Sequence, residues 1–453
     1  MRETRPVAQP GAIAGERGTE SGLPRRLGGV TATLVVIASM IGSGAFTTTG
    51  LLVGGISSTG GILLAWLIGG VVALFGALSY AELAACIPRN GGEYRLLGEV
   101  YHPAVGFVAG WISLVVGFSA PIAASALGFA AYVHALWPAL PPKGTAIALV
   151  LMLSLLHAAR VTLGASVQNV FAAAKVLLIV AFVVGALFVV APPATDSLSI
   201  PFGEILQPPF AVGLILVGFA YSGWNGAAYL AGEVHEPKRN LPLALVAGTA
   251  IVTLLYLGLN AVFLVGTTRP QLRGTVEVGH VAAVAIFGDE AGRILSSLIA
   301  LALISSVSAM VMVGPRVYEA MGDDYRALRF LRRRTEQGGP RLSIALQALL
   351  ATLMIVTASF GELLLYIGFT LSLSAGLTVV GVIVWRRRAP ELARPYRTWG
   401  YPLTPALFAA FSGWMIVHSF YERPLESLFG VATIVVGLLI YWIVRRAGLS
   451  RWD

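Results

Sequence analysis

Long apolar runs separated by short polar stretches fill most of the 453-residue chain. An α-helix of about 20 predominantly apolar residues can cross the roughly 30 Å hydrocarbon core of a bilayer. The pattern therefore predicts an all-α membrane protein with about twelve transmembrane helices. The runs lie near residues 30–56, 61–87, 104–136, 144–159, 166–191, 207–233, 241–267, 289–315, 341–359, 361–385, 402–420 and 425–444.

The composition agrees with membrane embedding. Hydrophobic residues make up 57% of the chain and charged residues 12%, whereas about 25% of a soluble domain is charged. The single cysteine, Cys86, excludes an intramolecular disulfide and a cysteine metal cluster, and we expect it to be a free buried thiol. The sequence has no metal-ligand spacing, phosphate-binding loop or catalytic dyad, so we expect no metal, no cofactor and no enzyme activity.

The net charge of +9 comes from basic residues whose positions predict the topology. If the N-terminus is cytoplasmic, most of the 31 basic residues fall in cytoplasmic segments, as the positive-inside rule requires. Both termini are then cytoplasmic, residues 1–27 form a disordered tail, and the multi-pass protein lies in the plasma or inner membrane of the cell. Glu82 and Glu233 are expected to pair with loop arginines such as Arg89 and Arg239. This explanation of the charge requires no nucleic-acid partner.

Two of the predicted helices carry glycine pairs near their midpoints. The first run contains Gly42 and Gly44, and the sixth contains Gly223 and Gly226, each pair among small polar residues. Close packing of two helices is one explanation of such glycines. The alternative is that both helices unwind there, exposing N–H groups that suit a carboxylate and carbonyls that suit an ammonium group. Breaks at equivalent places of a five-plus-five repeat favour a substrate site.

Four stretches of the sequence resemble the amino acid–polyamine–organocation superfamily of permeases, nearest its L-type amino acid transporter branch. The resemblance extends from about residue 25 to the C-terminus, and the first stretch has Ala45 where isoleucine is commoner in the family. The four stretches are residues 41–46, residues 80–94, residues 219–242 and residues 394–402.

The resemblance implies the leucine-transporter fold, with a ten-helix transport core at residues 28–386. The core consists of repeats at residues 28–191 and 207–386, followed by two peripheral helices within residues 387–453. By analogy, the amides of Ser43 and Gly44 hold the substrate carboxylate, and an aromatic gate at Phe219 covers the site. The carbonyls implied to hold the substrate ammonium are those of Ile41, Phe219, Ala220 and Ser222. The full predicted substrate-binding set is Ile41, Gly42, Ser43, Gly44, Phe219, Ala220, Ser222, Gly223 and Asn225.

Lys175 lies inside the fifth apolar run, where a charged side chain needs a polar partner or a cavity. Snorkelling of the side chain to the membrane surface is one interpretation. The resemblance implies another, in which the ammonium replaces a sodium ion between the first and eighth helices. Its expected partners are carbonyls near Ile41 and Gly42 and a hydroxyl of the eighth helix. The candidate hydroxyls belong to Ser305, Ser306 and Ser308.

The sequence favours a sodium-independent secondary transporter of small amino acids that works by alternating access. The pocket is expected at residues 225, 227–229 and 122–125, and no basic or acidic residue is evident there, so we expect a neutral substrate. Proton symport, exchange and facilitation stay open, and protons are a candidate partner; the oligomeric state is not predicted. The nearest alternative is a sodium-coupled amino acid or polyamine symporter of the same fold, and a channel or a non-transporting subunit is less consistent with the motifs.

Overall fold

The computed structural model describes residues 27–159, 165–190, 202–333 and 340–447. Of the predicted tail at residues 1–27, all but Leu27 lies outside the described residues. Eleven helical segments are long and apolar enough to span a membrane, and a shorter apolar helix of 17 residues, Arg341–Thr357, lies at the ninth predicted run. At 1.5 Å per residue this helix is about 26 Å long, close to the hydrocarbon thickness. The prediction of an all-α membrane protein is confirmed.

We number these segments span 1 to span 12 in chain order. They are Gly29–Gly55, Thr59–Cys86, Pro103–Leu136, Pro142–Ala159, Asn169–Leu187, Pro208–Glu233, Pro237–Gly266, Asp289–Asp324, Arg341–Thr357, Phe360–Arg388, Leu403–Glu422 and Pro424–Arg446.

Two of the spans begin with a serine cap. Ser58 begins span 2 by accepting a hydrogen bond from the amide of Gly61 at 2.9 Å. Ser359 and Glu362 form a reciprocal capping box at the start of span 10. These capping residues mark where two of the spans begin. The boundaries predicted from hydropathy agree with most of the observed spans to within a few residues.

Spans 3 and 6 occupy the centre of the bundle. Their apolar windows are 83% and 72% buried, whereas those of spans 5 and 12 are 28% buried. Span 3 packs on span 8, span 2 packs on span 7, and the first half of span 1 packs on span 7. The sixth span therefore runs through the protein interior, and a break in its backbone lies away from the bundle surface.

Short helices connect the spans where the hydropathy pattern predicts only loops. Glu93–Val100 precedes span 3, and Val278–Phe287 precedes span 8. The final part of span 8 is a separate polar helix, Pro315–Asp324. Their lengths of 8 and 10 residues are below what a membrane-spanning pattern detects.

Partly buried ion pairs join elements at one end of the bundle, which we call the basic end. Glu82 forms a bidentate salt bridge with Arg386, with N–O distances of 2.7 and 2.8 Å. Glu233 pairs with Arg316 at 3.2 Å. The expected partners Arg89 and Arg239 are therefore wrong, since Arg89 pairs with Glu99 instead. A loop arginine also reaches Glu82, because Nε of Arg394, between spans 10 and 11, lies 3.5 Å from its Oε1, whereas Glu233 pairs with an arginine on a packed helix.

Candidate functional site

Span 1 consists of two helices with a short connection between them. The first, Gly29–Met40, ends where the amide of Gly42 donates to the carbonyl of Met40 at 2.8 Å, and the second begins at Ser43. Tyr256 also donates to the carbonyl of Met40 at 2.6 Å. The carbonyls freed by the interruption on this side are thus satisfied by protein donors.

The second helix of span 1 presents its amino-terminal end inside the protein. The first N–H groups of a helix, here those of Ser43 and Gly44, have no acceptor within the helix. The hydroxyl of Ser43 is also buried, and no hydrogen-bond partner for it is present among the described residues. Unmet donors beside the positive end of a helix dipole form a favourable environment for an anionic group.

Span 6 changes conformation at its midpoint. The α-helix Pro208–Tyr221 ends at Ser222, Gly223 follows with φ of 96°, and the chain continues as a 3₁₀ helix, Gly226–Glu233. The carbonyl of Phe219 accepts from the amide of Ser222 at 2.9 Å. Among the described donors, none bonds the carbonyls of Ala220 and Ser222. Two acceptors are therefore available next to the turn.

The interrupted parts of spans 1 and 6 are in direct contact. A Cβ atom at Gly44 would lie 2.5 Å from Cα of Ala220, and one at Gly223 would lie 2.5 Å from the carbonyl oxygen of Ser39. Only glycine permits both approaches, and at Gly223 the positive φ adds a second reason. The contact brings the free amides of span 1 and the free carbonyls of span 6 to one place in the interior.

A cavity of about 130 Å³ extends from this place toward the basic end. Phe219, Ser222, Gly223 and Asn225 line it from span 6, and Ser39 lines it from the described part of span 1. The predicted residues Ile41, Gly42, Ser43, Gly44 and Ala220 lie beside the cavity and are not part of its wall. Spans 2, 3, 8, 10 and 11 supply mainly apolar wall residues, including Val72, Phe118, Met310, Leu371 and Phe411.

Lys175 of span 5 is buried, with 2% of its side-chain surface exposed. Its ammonium donates to the hydroxyl of Ser306 at 2.7 Å, the carbonyl of Ile41 at 3.0 Å and the carbonyl of Ala38 at 3.5 Å. These contacts use the three donors of an ammonium group and join spans 1, 5 and 8. The side chain points into the bundle, so the snorkelling interpretation does not describe its position.

The three serines proposed as partners of Lys175 have different positions. Ser306 contacts the ammonium and also donates to the carbonyl of Ile41 at 3.1 Å. Ser305 instead donates to the carbonyl of Ala302 in its own helix, and Ser308 lies 2.8 Å from Nε2 of His157. The expectation for Ser305 and Ser308 is therefore wrong, because consecutive residues of a helix point about 100° apart.

Comparison with known proteins identifies the family of the chain. A profile of the amino acid permease family matches residues 27–444 of the chain. The chain belongs to the amino acid permease family. The permease is 30% identical to the b(0,+)-type amino acid transporter 1 of Homo sapiens, over 95% of this chain and 90% of that protein. It is 27% identical to the large neutral amino acids transporter small subunit 2 of Mus musculus, over 96% of this chain and 83% of that protein.

Family membership establishes the general function of the permease as amino acid transport across a membrane. It confirms the resemblance to L-type amino acid transporters and the expectation that the chain is not an enzyme. Among the described residues, no group of three His, Cys, Asp or Glu side chains could hold a metal ion.

Glu93 is an ionisable residue of the cavity wall that the sequence analysis did not identify. It lines the cavity and is only 3% exposed, so the expectation of a pocket without an acidic residue is wrong. Its short helix starts after Gly92, whose φ of 50° turns the chain inward against Tyr229. The only sequence signal is the glycine pair at residues 91–92, since the polar loop around it otherwise predicts a surface position.

Proposed function

We propose that the permease is a sodium-independent secondary transporter of neutral amino acids. A zwitterionic substrate binds between the two helix breaks, with its carboxylate on the amides of Ser43 and Gly44. Its ammonium group binds the carbonyls of Ala220 and Ser222. The observation that carries the proposal is the contact of Gly44 with Ala220, which places unmet donors beside unmet acceptors in the interior.

Phe219 acts as the gate of this site. Its side chain is 5% exposed, lines the cavity, and its ring lies 3.3 Å from where a Cβ of Gly44 would be. A rotation of the ring would therefore change access to the junction of the two breaks. The carbonyls of Ile41 and Phe219 contribute less to substrate binding than the resemblance implied, because protein donors already bond both.

Lys175 takes the place of a sodium ion between spans 1 and 8. Its ammonium bonds the oxygens of Ile41 and Ser306, which belong to the two elements that a bridging cation would join. A covalently attached cation needs no sodium from solution. The sodium-coupled alternative requires an ion site in addition to these oxygens.

A neutral substrate fits the largely apolar cavity wall, and the mouse relative is named for large neutral amino acids. Both termini face the cytoplasm, so that the basic end, with Arg316 and Arg386, lies on the cytoplasmic side. The two repeats of residues 28–191 and 207–386 move relative to each other during alternating access.

Counterflow into proteoliposomes tests the proposed substrate class. Vesicles loaded with unlabelled alanine, serine or leucine should accumulate the labelled amino acid, and protein-free vesicles should not. Vesicles loaded with lysine or glutamate should give little exchange, because the described cavity wall has no basic residue and its one carboxyl group, Glu93, is already hydrogen-bonded to protein donors. A preference for lysine or glutamate contradicts the assignment to neutral amino acids.

A further inference from the structure

A buried carboxyl group lies at the end of the cavity nearest the basic end. Glu93 accepts hydrogen bonds from the hydroxyl of Tyr80 at 2.5 Å, the hydroxyl of Ser374 at 2.6 Å and the amide Nδ2 of Asn225 at 3.1 Å. The three donors belong to spans 2, 10 and 6. One side chain therefore holds together three transmembrane elements around the cavity.

The hydrogen-bond partners of Glu93 within the described chain are all uncharged. The titratable groups that face it are the phenols of Tyr80 and Tyr229, from spans 2 and 6. On its own helix, Tyr94 and Arg95 both bind Asp324 instead. Burial without a cationic partner raises the pKa of the Glu93 carboxyl, which favours the protonated form.

Both protonation states of Glu93 can be satisfied where it stands. The ionised carboxylate accepts from all three partners. When protonated, it donates to the hydroxyl of Tyr80 or Ser374, either of which can accept, and still accepts from Asn225, whose Nδ2 is only a donor. A change of protonation therefore reverses one hydrogen bond and keeps the carboxyl group of Glu93 bonded to its partners.

Substrate binding and proton binding can be linked because Glu93 lines the cavity that the substrate would fill. A neutral amino acid that fills this cavity of about 130 Å³ excludes water from the space that Glu93 lines. Removal of this water penalises the charged form of Glu93 relative to the neutral form. Linkage is reciprocal, so a protonated Glu93 also favours the filled cavity.

We propose that Glu93 is the proton-binding site of the transport cycle and is protonated together with the binding of a neutral amino acid. The inference rests on the proposed function, and it assigns a residue to the coupling that the sequence left open. The proton adds to a carboxylate oxygen of Glu93 when the substrate binds and returns to water when the substrate leaves. Asn225 transmits the state of the carboxyl to span 6, because it is three residues from the turn at Ser222.

Substrate binding to the purified permease, measured between about pH 5 and about pH 9 with labelled leucine, tests this proposal. The wild type should bind more tightly at low pH, with affinity falling up to about tenfold per pH unit above the midpoint. Calorimetry in two buffers of different ionisation enthalpy should show about one proton taken up per leucine bound. Glu93→Gln should bind with no pH dependence and no proton uptake, whereas Glu93→Asp should keep both.

Glu99→Gln is the matched control, because Glu99 lies on the same short helix and pairs with Arg89 at 3.3 Å. It should keep the wild-type pH profile. Ser374→Ala gives an independent measurement if Glu93→Gln fails to fold. Loss of a donor to the carboxylate should move the binding midpoint to higher pH, and an unchanged midpoint contradicts the proposal.

The outcomes separate the two proposals. If the wild type binds none of the neutral amino acids tested, the proposed function fails. If it binds leucine and Glu93→Gln keeps the wild-type pH dependence, only the role of Glu93 is wrong. If Glu93→Gln loses binding of lysine while leucine binding keeps its pH profile, the carboxyl recognises a substrate ammonium group, and the proton-binding proposal is overturned.

Discussion

Ser305 and Ser306 have the same chemistry, the same burial and adjacent positions, yet only one contacts the intramembrane lysine. The hydroxyl of Ser306 lies between the ammonium of Lys175 and the carbonyl of Ile41. The hydroxyl of Ser305 bonds only the backbone of its own helix. Ser306 therefore takes part in a hydrogen-bonded bridge between three spans, whereas Ser305 does not.

Ser306→Ala is expected to lower leucine uptake severalfold and to lower the thermal unfolding temperature. The substitution removes one acceptor from Lys175 and one donor from Ile41, and a lost partner for a buried polar group costs about 1–3 kcal/mol. Ser305→Ala removes a bond that its helix does not need and should leave uptake near the wild-type rate. Equal effects of the two variants, measured in proteoliposomes, argue against the bridge.

Among individual residues, the sequence predicted those that a local pattern marks. Glycines mark the interruptions in the chain, and Lys175 is conspicuous because an apolar run should contain no charge. Glu93 and the pairing of Ser308 with His157 were missed, since they depend on how distant segments pack. Nothing in a polar loop of about five residues indicates that its carboxylate turns inward.

The elements of the bundle meet most closely where spans 1 and 6 are interrupted. The helix Ser43–Gly55 approaches the backbone of span 6 at Gly44, which leaves no room for a side chain. Ten residues further along the same helix, Gly54 has no atom within 4 Å of a built Cβ. Substitutions at Gly44 and Gly54 can therefore distinguish the effect of packing from the effect of helix propensity.

Gly44→Ala should abolish uptake or reduce it by at least about tenfold, because the added methyl group meets the backbone of Ala220 and overpacking costs about 1–3 kcal/mol. Gly54→Ala should be neutral or slightly stabilising, since alanine favours the helix. Uptake and size-exclusion profiles of both variants provide the measurement. Active Gly44→Ala protein would show that spans 1 and 6 do not need this contact.

Element bounds were largely predictable, because each apolar run matches one span and proline or a capping serine marks several starts. The exceptions have a common physical reason. The helices Glu93–Val100 and Val278–Phe287 are too short for the length criterion, and Arg341–Thr357 lies at its lower limit. The change of span 6 to a 3₁₀ helix at Gly226 was likewise not visible in a hydrophobic pattern.

Across the whole molecule, the distribution of basic residues along the chain predicts its orientation in the membrane. In a Cys86→Ala background, a single cysteine from Lys143→Cys should react with a membrane-impermeant maleimide on intact cells. One from Arg387→Cys should react only after the cells are opened. Both positions are exposed in the structure, so a reversed pattern contradicts cytoplasmic termini.

Lys175 is a buried cation that belongs to the chain itself. Lys175 bonds oxygens of spans 1 and 8, and we propose that it takes the place of a sodium ion there. Under this proposal, the transport rate does not depend on the sodium concentration on either side of the membrane. This property concerns the complete transport cycle and is measured on the intact protein.

Uptake of labelled leucine into proteoliposomes, with all sodium replaced by choline at constant pH and ionic strength, is the most direct measurement. The account predicts the same initial rate in both media for the wild type, and a lower rate in both for Lys175→Ala. Lys143→Ala, which removes an exposed lysine, should match the wild type. An uptake that collapses without sodium would contradict the central claim.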